Sequence, residues 1–585
     1  MVENHQAARF HPPVRYTVRF RDARTHYVSV EACLPVEGQA EVEIFLPVWT
    51  PGSYLVREYS RNLEGISVAD PAGKPLQFSK SRKNRWRVET GGAPEIRFSY
   101  RVYCREMSVR TNWVEDSFAL LNGAPTFVTL PECLARPHEL RLELPPEWKT
   151  TVTGLPEAPD ATPHHYLAED YDTLVDSPIL CGNPAVYQFD VDGIPHFLAN
   201  EGDRGVWDAP RSIADAEKLV RRHRELWGSL PYKKYVFLNL LTEASGGLEH
   251  RNSACLMTSR WAARTRKGHL GWLNLVSHEF FHVWNIKRLR PVELGPFDYE
   301  NENYTRSLWI AEGITEFYGR LTVRRAGLST TEEYLASLSD LIQSLQSTPG
   351  RFVQSVEQAS WDAWIKLYRP DENSGNTAIS YYTKGAVAAW LLDARIRHST
   401  DGAKSLDDLM RLAFAGFSGD RGFTTEQFKA LAGEVAGVPL GDFFRHTVET
   451  TEELDYTEAL DWFGLRFKLP EAPNGEGGVM GVETRIDHGR LIVRRVPRGT
   501  PAWESGLSVD DEIIAIDDFR VRPDQISHRL ESYRPCDKVS ILLARRDELM
   551  RVDLTLGEEP KKWALEIRPD ATDAQKRNLD DWLGL

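Results

Sequence analysis

The chain has 585 residues, of which 41% are hydrophobic and 27% are charged, and its formal net charge is −14. At roughly 150 residues per domain, this composition supports several folded cores and excludes a disordered protein. No stretch approaches the roughly 20 apolar residues that a membrane helix needs, so no membrane span is expected. An acidic surface repels phosphate backbones, and nucleic acid is therefore not an expected partner.

The cysteines and the first residues bear on the compartment. Six scattered cysteines without a C-x-x-C pair argue against a disulfide scaffold or a cysteine–zinc site and fit a reducing compartment. Met1–Gln6 shows no basic segment followed by an apolar one, so no signal peptide is visible. We expect a cytoplasmic protein, with the periplasm left open if the natural chain begins earlier.

The first third of the chain predicts β-structure. Short runs with partial apolar–polar alternation are separated by clusters of Pro and Gly, a pattern typical of strands joined by turns. Within Trp49–Tyr54, Pro51 presets φ and Gly52 permits a tight turn. These runs predict an antiparallel sandwich; they are Val14–Phe20, Val28–Leu34, Glu41–Leu46, Ile96–Val102 and Leu140–Leu144.

From about residue 210 the pattern changes to helices with few strands. Lys234–Leu241 and Ala254–Thr258 are short apolar runs that favour strands, whereas the other segments up to residue 450 show helical spacing. The middle of the chain thus predicts an α/β region that passes into an all-α region. Its predicted helices are Ile213–Trp227, Leu270–Ile286, Ser307–Val323, Thr331–Ser347, Lys384–Ile396 and Thr425–Ala436.

Strand signals return between about residues 460 and 560. The stretch Glu471–Gly478, with Pro and Gly, is the nearest to a loop at that boundary, and Ala574–Leu583 predicts a short C-terminal helix. No tandem repeat or low-complexity tract is present in the sequence. The predicted strands are Leu491–Val496, Asp511–Ile516 and Val539–Ala544.

The strongest chemical signal is the segment His278-Glu279-Phe280-Phe281-His282. On a helix, residues i and i+4 share a face, so the two imidazoles can bind one ion. Zn²⁺ accepts neutral imidazole nitrogens, and a catalytic zinc needs three protein ligands and a water. Zinc lowers the pKa of that water from 15.7 to about 7, so Glu279 can accept its proton. The segment therefore predicts a hydrolytic zinc site with one ion per chain.

Three carboxylates compete for the third ligand position. Glu302 lies 20 positions after His282, near the spacing of thermolysin-like enzymes, but within a polar stretch. Glu312 lies 30 positions after His282, and Glu316 lies one helical turn further on. Glu312 interrupts an apolar helical segment, which is costly for a charge unless it is paired or binds a metal. We therefore favour Glu312, with Glu302 and Glu316 as alternatives.

The motif and its flanks resemble a known group of peptidases. His278–Trp284 followed by Leu308–Tyr318 is similar to the gluzincin metallopeptidases, notably the aminopeptidase-N and leukotriene-hydrolase group. The longer string His278–Pro291 resembles the glycyl aminopeptidase family, and Trp49–Tyr59 is similar to the N-terminal domain of that family. The resemblance covers essentially the whole chain. The spacer before Glu312 is longer than in aminopeptidase N, which keeps Glu302 in consideration.

The resemblance implies roles for two further segments. Gly246-Gly247-Leu248-Glu249-His250 resembles an exopeptidase signature in which glycines let an edge strand approach the substrate backbone. By position, Glu249 would pair with the free α-ammonium of the substrate. His250 stands where better-known relatives have asparagine, so its role is open. The alternative interpretation of this segment is a Gly-rich turn with a surface glutamate.

The second implied segment is Ser380–Gly385, which resembles the one that delivers a tyrosine hydroxyl to the tetrahedral intermediate. Tyr382 is the matching position, and Tyr381 is its neighbour. A phenol hydrogen bond beside zinc would stabilise the oxyanion. The alternative interpretation is that both tyrosines are core packing before a helix.

The C-terminal strands resemble a bacterial-type PDZ domain through Val496–Ala502, Ser505–Leu507 and Asp510–Ile516. PDZ domains bind extended peptides by strand addition, so a peptide is a possible partner there, and a structural lid is the alternative.

Together the resemblance implies a multidomain fold. It comprises an N-terminal β-sandwich-like domain, a thermolysin-like α/β catalytic domain continuing into an α-helical lobe, and a C-terminal PDZ domain. The expected boundaries are 1–195 for the β-rich domain, 196–330 for the zinc domain, 331–458 for the helical lobe, 459–570 for PDZ and 571–585 for the final helix.

The expected function is that of a zinc aminopeptidase acting on peptides with a free N-terminus, with Gly or Ala preferred as the family resemblance implies. Two alternatives stay open: a zinc endopeptidase with PDZ-mediated substrate selection, and a non-catalytic PDZ peptide-binding protein.

Overall fold

The computed structural model describes residues 12–468 and 477–585. Met1–Gln6 and the first six residues of the predicted boundary Glu471–Gly478 lie outside this range. The chain divides into two compact units. The first comprises Met1–Tyr304, Ala326–Leu328 and Phe414–Phe423, and the second comprises Thr305–Arg325, Ser329–Ala413 and Thr424–Leu585. In the described ranges, no helix has both the length and the apolar character for crossing a bilayer.

The first unit begins with a β-rich region that builds three sheets. Their strand orders are β12-β10-β1-β2-β7-β4, β11-β13-β9-β8 and β3-β6-β5. Buried positions alternate with more accessible ones along β2 and β7, as expected for strands with one face on a core. One hydrophobic core draws side chains from these sheets. The elements are β1 Val14–Arg19, β2 Tyr27–Pro35, β3 Glu41–Phe45, β4 Leu63–Ala69, β5 Phe78–Arg82, β6 Arg85–Glu89, β7 Glu95–Tyr103, β8 Trp113–Val114, β9 Ala119–Leu121, β10 His138–Glu143, β11 Thr150–Thr153, β12 His165–Ala168, α1 Tyr171–Val175 and β13 Ile179–Gly182.

A five-stranded mixed sheet follows in the order β14-β15-β16-β18-β17. All seven residues of β16 are buried, because this strand pairs in parallel with β15 and β18. The first strand of this sheet lies before residue 195, and β17 forms an edge, antiparallel to β18. The elements are β14 Ala185–Val191, β15 Ile194–Glu201, α2 Ala209–Trp227, β16 Tyr235–Leu241, β17 Gly246–Glu249, β18 Ser253–Thr258 and α3 Arg266–Phe281.

Helix α3 ends five residues before the predicted end at Ile286. Ile286 adopts a φ of 86°. Its backbone N–H donates to Leu289 O, while Leu289 N donates to Trp284 O. These two bonds close a tight loop after the helix, which helical spacing of apolar residues cannot signal.

The second unit is helical up to residue 462. A π-helical turn, Trp309–Gly313, precedes α4, within the segment for which a regular helix was predicted. Helix α5 starts at a capping box in which Thr330 and Glu333 bond each other's backbone N–H groups. The helices are α4 Ile314–Arg325, α5 Thr331–Gln346, α6 Val356–Trp361, α7 Ser374–Thr377, α8 Tyr381–Ser399, α9 Leu406–Phe417, α10 Thr425–Ala436, α11 Gly441–Phe444 and α12 Thr457–Trp462.

Strands return in the last part of the second unit. A sheet in the order β20-β21-β22-β24-β25, with β23 paired to β22, encloses its own hydrophobic core. The predicted β-rich N-terminal region and the helical region are both confirmed. The final elements are β19 Leu465–Phe467, β20 Glu483–Asp487, β21 Arg490–Arg495, α13 Pro501–Ser505, β22 Glu512–Ile516, β23 Phe519–Arg520, α14 Ile526–Leu530, β24 Lys538–Arg545, β25 Glu548–Thr555, β26 Leu565–Ile567 and α15 Asp573–Leu583.

Candidate metal centre and amine-binding site

Helix α3 carries His278, and the second histidine of the predicted metal motif, His282, is its C-cap residue. The helix starts at Thr265, whose side chain accepts a hydrogen bond from Gly268 N, and it is anchored along its length by buried apolar residues. His278 and His282 lie one turn apart, with ring centroids 4.9 Å from each other. Both side chains are buried, as is that of Glu279 between them. The i, i+4 spacing thus presents both imidazoles from one side of the helix end.

The protonation of the His282 ring follows from its backbone contact. Nδ1 lies 3.0 Å from the carbonyl oxygen of Asn285. A carbonyl can only accept, so Nδ1 carries the proton in the neutral ring and Nε2 keeps its lone pair. This is the tautomer that a metal ligand needs, and such an outer hydrogen bond also orients the ring.

Edge strand β17 passes directly beside Glu279. A Cβ added at Gly247 would lie 2.0 Å from Oε1 of Glu279. Any side chain at position 247 would therefore displace the carboxylate. Gly247, which the family resemblance implies lets the strand approach the substrate, is required here by the close approach of Glu279.

In the second unit, Glu312 lies in the π-helical turn and is 1% exposed. Single π-helical turns are rare and occur frequently at functional sites. The turn crosses α8 at two glycines, since a Cβ at Gly313 would lie 2.5 Å from Cα of Gly385. This crossing brings the start of α8 next to Glu312. Burial and then the charge of Glu312 raise the pKa of Tyr382 well above its usual value, so its hydroxyl stays a hydrogen-bond donor.

Two groups of three side chains have donor atoms that lie within 4.8 Å of one another. The first is His278, His282 and Glu312, and the second is Glu249, Glu279 and His282. Both groups are buried. The two other candidates for the third ligand are placed differently, because Glu302 is exposed and Glu316 forms an ion pair with Arg320. His278, Glu279 and His282, the ionisable residues of the predicted motif, thus each belong to at least one of the two groups.

Glu249 ends β17 and is 3% exposed. It lines a cavity of about 140 Å³ together with Gly52, Asp176 and Lys287. A Cβ at Gly52 would lie 2.5 Å from Oε1 of Glu249, and φ at this glycine is +85°. The turn Thr50–Ser53 of the β-rich region therefore packs its backbone against the carboxylate.

Two of these cavity residues were missed by sequence analysis. Asp176 follows the short helix α1, and Lys287 lies in the loop after α3. They form an ion pair with Lys287 Nζ 2.8 Å from Asp176 Oδ1, across 111 positions of sequence. No local sequence pattern predicts such a pair.

Comparison with known proteins identifies the family. The model of the Peptidase M61 N-terminal domain matches residues 15–183, and that of the M61 glycyl aminopeptidase matches residues 271–388. No curated protein matches the chain.

Solved structures add relatives of known fold. An aminopeptidase N family protein from Idiomarina loihiensis is 30% identical, with a TM-score of 0.91 over 97% of this chain and 100% of that chain. An M1 zinc metallopeptidase from Deinococcus radiodurans is 12% identical, with a TM-score of 0.47 over 76% of this chain and 94% of that chain. Yeast LTA4 hydrolase is 14% identical, with a TM-score of 0.45 over 76% and 66%. The family matches and the relative matched over its full length show that this chain belongs to the M61 glycyl aminopeptidase family of peptidases and is a hydrolase.

Proposed function

We propose that the protein is a zinc aminopeptidase that removes the N-terminal residue of peptides. The observation that carries the proposal is the grouping of buried donors from His278, His282 and Glu312, with Glu279 on the same helical turn as the histidines. Two imidazoles and one carboxylate form a ligand set typical of catalytic zinc, and the tautomer of His282 fits that role. These three residues would hold one zinc ion per chain.

When bound, zinc would polarise the scissile carbonyl and lower the pKa of a coordinated water from 15.7 to about 7. Glu279 then acts as a general base, because its buried carboxylate accepts the proton of the attacking water. The same carboxyl group donates this proton to the nitrogen of the leaving amine as the C–N bond breaks. Gly247 keeps the strand beside Glu279 free of a side chain, so the carboxylate retains its position through both transfers.

Glu249 is proposed to bind the α-ammonium of the substrate. In an N-terminal residue only Cα separates the amine from the scissile carbonyl, so the two groups must be handled by neighbouring side chains. The donor atoms of Glu249 and Glu279 lie within 4.8 Å of each other, which suits this short separation. A buried carboxylate gains most from a charged partner, which favours substrates with a free N-terminus.

Blocking the amine tests the choice between aminopeptidase and endopeptidase. Alanyl p-nitroanilide is expected to be hydrolysed, whereas its N-acetyl form is expected to lose all measurable turnover, because acetylation removes the charge that Glu249 binds. For the free amine, Glu249→Gln should raise KM by about 10-fold to 100-fold, as the loss of a buried charge pair does. Undiminished cleavage of the acetylated substrate would falsify the aminopeptidase and favour a zinc endopeptidase.

A preference for Gly and Ala at the N-terminus is proposed from the family. It is supported by the turn at Gly52, which closes on Glu249 and leaves a cavity of only about 140 Å³. Extending the anilide series from glycyl and alanyl to leucyl substrates measures this preference.

Tyr382 is proposed to donate its hydroxyl hydrogen to the oxyanion of the tetrahedral intermediate. Tyr382→Phe is expected to lower kcat by about 10²–10³-fold, the usual cost of removing one such donor, with KM little changed. Tyr381→Phe is the matched control, since the ring of Tyr381 stacks on that of Tyr382 at 4.8 Å between centroids. Steady-state kinetics of both variants on alanyl p-nitroanilide decide the assignment; an equal loss in both would assign Tyr382 to packing.

The C-terminal strands, expected at residues 459–570, are proposed to form a PDZ-like domain that binds an extended peptide. The proposal is supported by β20, an edge of its sheet to which a peptide strand can pair, and by Gly506, which caps α13 in the left-handed conformation that a tight turn requires.

A further inference from the structure

Asp176 is a half-buried carboxylate that lines the same cavity as Glu249, the proposed amine-binding residue. Its Oδ1 accepts a hydrogen bond from Lys287 Nζ at 2.8 Å and lies 3.0 Å from His250 Nδ1. Its Oδ2 accepts a hydrogen bond from the backbone N–H of Arg251 at 2.8 Å. Burial would raise the pKa of this carboxyl, but Lys287 and His250 hold the pKa well below its usual value. Asp176 is therefore ionised, and both of its carboxylate oxygens have partners.

Lys287 has two acidic neighbours but pairs with one. Its side chain is 8% exposed, and its ion pair with Asp176 is the one within 4.0 Å among the described residues. Burial lowers the pKa of Lys287, yet the charges of Asp176 and then Glu249 raise it above its usual value. Lys287 and Glu249 line the same cavity. An ammonium on a flexible four-carbon stem can change its partner without moving the backbone.

Glu249 has one carboxylate oxygen that makes no hydrogen bond to the described residues. Within residues 12–468 and 477–585, its buried Oε1 has no hydrogen-bond partner. The residue that follows, His250, is bound to Asp176, and Arg251 is bound through its backbone. Asp176 thus fixes both the lysine and the chain directly after Glu249, which gives His250 the role that its motif position left open.

We propose that Asp176 is a positioning residue that holds the ammonium of Lys287 away from Glu249 and so keeps the amine subsite open for the α-ammonium of the substrate. Without Asp176, the ammonium of Lys287 would pair with Glu249 and take the place of the substrate's α-ammonium. The inference rests on the proposed function, because it assigns to Glu249 the substrate amine.

A purely structural role for Asp176 makes a different prediction. A weakened scaffold would lower the fraction of active enzyme and therefore kcat, and deleting Lys287 would not restore substrate affinity. Competition between Lys287 and the substrate amine for Glu249 would raise KM and leave kcat unchanged. Removing the ammonium of Lys287 would then reverse the rise in KM. The split between KM and kcat, together with the double variant, therefore separates the two roles.

The test uses the full-length zinc-loaded enzyme and alanyl p-nitroanilide. Asp176→Asn is expected to raise KM by about 10-fold to 100-fold, the range for a misdirected buried charge pair, while kcat stays within about threefold. The double variant Asp176→Asn/Lys287→Met is expected to return KM to that of Lys287→Met alone. Asp420→Asn is the matched control, because this exposed carboxylate also lines the cavity and should leave KM unchanged.

An unchanged KM in Asp176→Asn, or a raised KM that persists in the double variant, would overturn the inference. If Asp176→Asn does not fold, Asp176→Ser replaces it, because serine likewise removes the charge that holds Lys287; an unchanged KM there would also overturn the inference. Glu249→Gln, measured in parallel, keeps the two proposals apart. If its KM rises while the Asp176 variants behave as wild type, only the role of Asp176 fails.

Discussion

Replacing Glu279 with glutamine is expected to lower kcat by about 10²–10⁴-fold, the range that general acid–base catalysis contributes. The amide has nearly the same shape as the carboxylate but cannot accept a proton, and Gly247 leaves room for it as for the native side chain. Because Glu279 is not one of the proposed zinc ligands, the variant should keep one zinc per chain. Anilide hydrolysis and metal analysis on the same sample measure both quantities.

Glu302→Gln provides the matched control for Glu279. Glu302 is exposed, so the same chemical change there should leave kcat as in the wild type. A Glu279→Gln enzyme that retained at least a tenth of the wild-type kcat would contradict the assignment of the base. The alternative of a non-catalytic peptide-binding protein would instead show itself as wild-type protein that binds peptide but does not hydrolyse it.

Glu312→Ala is expected to abolish stoichiometric zinc binding and, with it, peptidase activity. Losing one of three protein ligands should weaken zinc affinity by more than the 10–100-fold that outer-shell substitutions typically cost. Glu312 is 1% exposed and its carboxylate lies within 4.8 Å of the donor nitrogens of His278 and His282. The measurement is the zinc content per chain after dialysis, together with the rate of alanyl p-nitroanilide hydrolysis.

The two other carboxylates serve as controls for the third ligand. Glu302→Ala removes an exposed side chain, and Glu316→Ala breaks a surface-accessible ion pair with Arg320. Both variants should retain one zinc per chain, because neither side chain belongs to a group of close donors in the described residues. Full zinc occupancy in Glu312→Ala would move the third ligand to another residue.

Local patterns predicted most of the elements that position the site. The alternation in Val28–Leu34 and the apolar run Lys234–Leu241 correspond to β2 and β16, and the helical spacing of Leu270–Ile286 covers most of α3. These predictions hold because periodicity reports which face of an element is buried. The end of α3 was missed, since the loop at Ile286 is closed by backbone bonds that carry no side-chain pattern.

The candidate metal ligands could also be predicted from short stretches of sequence. The i, i+4 spacing by itself predicts that His278 and His282 share one face of a helix. The apolar surroundings of Glu312 in the sequence singled it out, because a charge among buried residues needs a partner or a metal. The π-helical turn that carries Glu312, by contrast, depends on the close crossing with Gly385, which lies 72 positions after Gly313.

By itself, the sequence predicted most of the elements, the family and the residues proposed to bind zinc and transfer protons, because these predictions follow from periodicity and from side-chain chemistry at fixed helical spacing. Only the tertiary structure decided how those residues are surrounded. It set Gly52 against Glu249, Gly247 against Glu279, and Asp176 against Lys287. Each of these contacts joins residues that are far apart in the chain. Packing and charge in the folded protein select these pairs, and local sequence patterns do not predict them.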